Sequence, residues 1–111
     1  MTEPSWHPFE KGVTLGQKGS ENGVIMRDEE HHQEARITLE RDTQAAPFTI
    51  TCGIYGCMVH TRFLGIESVA TSQYEEMKAA LSALLLTENE GGPGGCRSFL
   101  DGVTEFVEKY P

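Results

Sequence analysis

Histidine and cysteine are the residues of this chain best suited to chemistry, and it holds four of one and three of the other. His31 and His32 lie in an acidic run, with Glu29 and Glu30 before them and Glu34 just after. Imidazole and carboxylate are natural ligands for zinc or iron. The spacing argues against a centre, because neighbours on a strand point to opposite faces and no H-x-H, H-x3-H or H-E-x-x-H pattern occurs. His31 and His32 are thus the metal candidates, but the run reads as a charged loop and no cofactor is expected.

A second pairing is Cys57 with His60, a thiol and a base. Three apart on one strand they face opposite sides, so a structural cysteine is the better reading. Cys52 and Cys57 would lie across a tight hairpin, where a bridge is geometrically conceivable. The opening MTEPSWHPFEKG carries no export signal, so Cys52, Cys57 and Cys96 are expected as reduced, mostly buried thiols of a cytoplasmic protein.

Two glycine-rich stretches invite comparison with phosphate loops. Gly19-Ser20-Glu21-Asn22-Gly23 is flanked by strand patterns, and Asn22-Gly23 is a turn signal, so a hairpin turn is expected there. Gly91-Gly92-Pro93-Gly94-Gly95 does precede a helical pattern, but it lacks the lysine of a phosphate loop. The last candidate is a polar surface. Arg36, Glu40, His60 and Arg62 fall on wet strand faces, and with Tyr55 they offer a place for an anionic ligand or a partner.

The elements that must position these groups are organised around Phe48 to Leu64. Phe48, Ile50, Cys52 and Ile54 share one face of a strand, with Thr49, Thr51, Gly53 and Tyr55 on the other. Beyond Gly56 the alternation changes parity, grouping Cys57, Val59, Thr61 and Phe63 against Met58, His60, Arg62 and Leu64. That change predicts a bulge or, preferably, a tight hairpin between Gly53 and Gly56. Glu34 to Asp42 alternates most cleanly, with Ala35, Ile37 and Leu39 on the dry side. A first hairpin is expected over roughly residues 12–29, with Asp28 to Glu34 as a solvated connection. Residues 1–10 read as an extended N-terminal arm that Trp6 and Phe9 pin to the body.

After the sheet, Ser72 and Glu75 form a capping box before a stripe of Tyr74, Met77, Leu81, Leu84 and Leu85, which predicts a helix over about 73–87. Residues 88–95 read as a mobile loop. A second helix is expected from Arg97 or Ser98, with Phe99, Val103, Phe106, Val107 and Tyr110 as its stripe. The expected fold is a single α+β domain over 1–111: an antiparallel meander of about five strands, then two C-terminal helices packed on one face.

A formal charge of −8 sets the chain against nucleic acid and anionic membrane surfaces. Its longest apolar run, Leu84 to Leu86, is far too short to span a bilayer. These residues point to a non-enzymatic interaction or regulatory module, expected to act as a homodimer through an open strand edge. The alternative is a ligand-binding protein or enzyme with a pocket near His60, Arg62, Tyr55 and the 88–95 glycine loop.

Overall fold

Side chains that alternate between apolar and polar build the sheet, and those that repeat at three and four build its cover. The computed structural model describes residues 6–32, 34–91 and 100–111. Its strands are β1 (Trp6–Pro8), β2 (Val24–His31), β3 (Ala35–Arg41), β4 (Phe48–Ile54) and β5 (Met58–Leu64). They pair antiparallel in chain order, so the sheet is a plain meander. The helices α1 (Glu67–Gly91) and α2 (Leu100–Lys109) follow.

The register sets Ile37 opposite Cys52 and Leu39 opposite Ile50, all buried, and this dry face receives α1. Tyr74, Met77 and Leu81 project from α1 with no exposed surface, meeting Ile37, Leu39 and Ile50 in one core. Truncating such a side chain, as in Leu81→Ala, removes about 2–5 kcal/mol. Phe106 of α2 and Tyr110, the residue after its end, complete the core, their rings 5.0 Å apart. The two helices meet closely at Gly102, where an added Cβ would come within 2.2 Å of Leu84 Cδ1.

The parity change after Gly56 is a hairpin. Ile54 pairs with Met58, the Cys57 N–H donates to the Ile54 carbonyl at 2.8 Å, and Gly56 takes φ +77°. That backbone region is open to glycine without steric cost.

Other expectations are corrected. Residues 13–17 form turns and not a strand, because Gly12 and Gly16 both take positive φ and leave Val13 and Leu15 exposed. Of the expected first hairpin there remains an antiparallel bridge from Lys18 to Val24 around the 19–23 turn. The missing strand is β1, in the arm itself, so Trp6 to Pro8 pairs with His31 to Glu29. The arm is held on its own domain: Trp6 Nε1 donates to Ser82 Oγ at 2.8 Å. Asp28 to His31 are not a solvated connection either, since β2 runs through them and both end residues are buried. α1 begins at Glu67, ahead of the Ser72 box, because buried Ala70 carries the apolar stripe back one turn. Residues 88–91 extend α1, while the rest of the glycine loop, Cys96, and the expected start of α2 at residues 97–99 lie outside the described residues.

Candidate functional site

Strand parity decides where the polar residues go, and it divides them. His60 and Arg62 share the helix-covered face with Cys52 and Ile50, which they oppose across β4 and β5. Both close the C-terminal end of α2. The Tyr110 carbonyl accepts from His60 Nε2, which places the ring proton on that nitrogen. Arg62 Nη1 reaches the Lys109 carbonyl at 3.5 Å. The last carbonyls of a helix lack intrahelical donors and carry partial negative charge, so these two side chains pin α2 to the sheet. Tyr110 Oη donates to Glu76 at 3.0 Å, and burial followed by this carboxylate pushes its phenol up to about 12.

Arg36 and Glu40 point through the opposite face of β3, so the structure does not bring them to His60 and Arg62. Glu40 is fully buried and accepts the backbone N–H of Gly23 at 3.0 Å and of Glu21 at 3.2 Å. It therefore holds the 19–23 turn over the sheet. Tyr55, at the tip of the β4–β5 hairpin, is half exposed and donates to Glu30 at 2.7 Å. Burial and that bond raise its phenol to about 12.

His31 and His32 also part. His31 is buried, edge-on to Trp6 at 5.1 Å and to the exposed His32 at 4.8 Å. Burial, then the proximity of His32, holds the pKa of His31 below its ordinary 6.5. Among the described residues, no group of three or more histidine, cysteine or acidic side chains is placed to hold a metal.

The cysteines differ from expectation in one respect. Cys52 is free and buried, and burial pushes its thiol up to about 12, far from a nucleophilic thiolate. Cys57 is disulfide-bonded, so it is not the reduced thiol expected, and Cys52 is not its partner.

The group that sequence reasoning missed is centred on Asp28. Its side chain has no exposed surface, and its carboxylate accepts four hydrogen bonds. Arg36 supplies two, from Nε at 2.8 Å and Nη2 at 2.6 Å; Thr14 and Thr38 supply the others at 2.8 and 3.1 Å. The Arg36 guanidinium also lies 3.7 Å above the Phe9 ring, and the Asp28 pairing raises its pKa further. A signal existed. Aspartate is disfavoured in strands, and here it faces a strand that carries Arg36 and Thr38 on one side. The register that sets Asp28 opposite Thr38 was needed to see it.

Arg36, Thr14 and Thr38 all line a groove of about 450 Å³ between the 14–20 turns and the open face of β3, β4 and β5. Thr51, Gly53, Tyr55 and Val59 form its far side. The sheet edges beside it are unequal. β1 has three residues and ends in Pro8, whereas β5 has seven residues with no proline. On the open face β5 carries Val59, 81% exposed, Thr61, and Phe63, 53% exposed. Comparison with protein-family models, curated proteins and solved structures finds no match for this chain. Among the described residues, no helix is long and apolar enough to cross a membrane.

Proposed function

We propose that this protein is a non-enzymatic interaction module that works as a homodimer, pairing through β5. The observation that carries this reading is the contrast between the two edges. Strand edges are commonly protected by shortness, proline, bulges or charge. β1 has the first two, while β5 has none of them on its open face. Antiparallel pairing of β5 with its copy about Thr61 sets Val59 of each chain opposite Phe63 of the other. The contact is self-complementary, as a two-fold dimer requires.

Non-enzymatic action is supported by what the candidate groups are doing. His60 binds a carbonyl, Cys57 is in a disulfide and the Cys52 thiol is buried and protonated. The Cys57 disulfide fits an oxidising compartment better than the cytoplasm expected from the sequence. Light scattering after gel filtration tests the dimer. The expected result is the mass of two chains at high micromolar concentration, favoured by salt because each chain carries −8. Phe63→Lys, which puts a charge on each side of the pairing, is expected to give monomers with unchanged circular dichroism. A monomeric wild-type chain overturns the reading.

A further inference from the structure

We infer that the groove beside Asp28 is a binding site for a small organic carboxylate with a flat apolar body. The argument starts from the cost of Asp28. A fully buried carboxylate lowers stability unless its partners compensate, and apolar residues of similar size commonly serve a fold as well or better. Here all four hydrogen bonds come from three side chains, and each of them lines the groove. Asp28 thus orients a ring of groove residues while itself staying out of reach.

The ring has a definite polarity. Asp28 occupies Nε and Nη2 of Arg36, and Phe9 covers one face of the guanidinium. The plane is fixed, leaving the Nη1 edge as a preoriented donor pair for a carboxylate. Asp28 and Arg36 cancel in charge, while exposed Lys18 on the facing wall has no ion-pair partner among the described residues. The cationic donors lining the groove are therefore Arg36 and Lys18, while the nearby carboxylates of Glu40 and Glu30 are taken up by the amides of Gly23 and Glu21 and by Tyr55. One anionic group suits the groove.

The body of the ligand is set by the opposite wall. Gly53 presents bare backbone between Arg36 and Val59, its cross-strand neighbours, and Tyr55 stands at the hairpin end. A flat ring can lie on that strip with its carboxylate towards Arg36 and Lys18. The volume, about 450 Å³, is of the size that holds a small molecule. Thr51 supplies a hydroxyl within the floor, 3.3 Å from that of Thr61.

Amide NMR titration of the full chain with 2-naphthoate tests this, with 2-naphthalenemethanol and 2-naphthyl phosphate as comparators. Saturable shifts confined to residues 14–20, 36–38 and 51–59, with a Kd at or below about 1 mM, are expected for the carboxylate. The neutral alcohol is expected to bind at least tenfold more weakly. Lys18→Gln, an exposed change that spares the fold, is expected to weaken naphthoate about three- to fivefold. Arg36→Lys keeps the charge, loses the fork, and is expected to weaken it about tenfold or more. No saturable shift in a folded wild-type spectrum overturns the inference, as does equal binding of the alcohol or indifference to Lys18→Gln. Tighter binding of the phosphate overturns the carboxylate assignment. The groove does not include Phe63, so the same titration on monomeric Phe63→Lys separates this result from that of the dimer.

Discussion

Asp28 and Glu29 are consecutive in the chain and serve opposite faces of the sheet. Asp28 turns to the open face, where Arg36, Thr14 and Thr38 enclose it completely. Glu29 turns to the helices, accepting from Tyr74 Oη at 2.7 Å and Lys78 Nζ at 3.0 Å, and remains one-fifth exposed. Burial alone would raise the Glu29 pKa, but Tyr74, Lys78 and Arg27 outweigh it and hold the carboxyl below its ordinary 4.5. One carboxylate ties a helix to a strand, as many surface pairs do. The other is sunk into the protein to arrange side chains around an empty volume. The difference shows that acidic composition alone says little: the face a carboxylate occupies decides whether it fastens elements or shapes a cavity.

The sharpest test is Asp28→Ala, expected to cost about 3–5 kcal/mol in urea denaturation because it leaves Arg36 without its buried partner. Glu29→Gln is expected to cost about 1–2 kcal/mol, since water and Glu75 still serve Lys78 and Arg27. Equal costs would remove the distinction drawn between the two. Glu40→Gln is expected to cost about 1 kcal/mol, the amide oxygen keeping one backbone donor, with faster hydrogen exchange confined to the 19–23 turn.

The pH response is smaller and has two stages. His31 is held below 6.5 and is neutral when folded, so its contribution is whole above pH 6.5. It is lost as pH falls through the depressed folded value. Glu29 acts in the same direction lower down, its contribution present above 4.5 and lost as acid protonates the folded carboxyl. Melting temperature is therefore expected to fall first below pH 6.5 and again below 4.5. His31→Phe should flatten the first stage alone. The smallest effect concerns thiols: without reductant, denatured protein is expected to be alkylated at Cys52 and not at Cys57.

Much of the fold was legible because local periodicity reports which side of an element is dry. Ile37, Leu39, Ile50 and Cys52 alternate, and Tyr74, Met77 and Leu81 repeat at helical spacing, so their burial could be read directly. The N-terminal strand was not legible: Trp6 to Pro8 is too short to show a period, and it joins the sheet only through pairing with β2. The polar surface failed for a related reason. Arg36 and His60 each looked wet within their own strands, yet pairing through β4 puts them on opposite faces.

Alternation, helical stripes and turn residues determined four of the five strands, two helices and the face on which they meet, because each depends on neighbours a few residues away. Which carboxylate is buried, which histidine closes a helix end, and where an open groove remains depended on register between strands. Register is a relation between distant segments, and only the folded chain decides it.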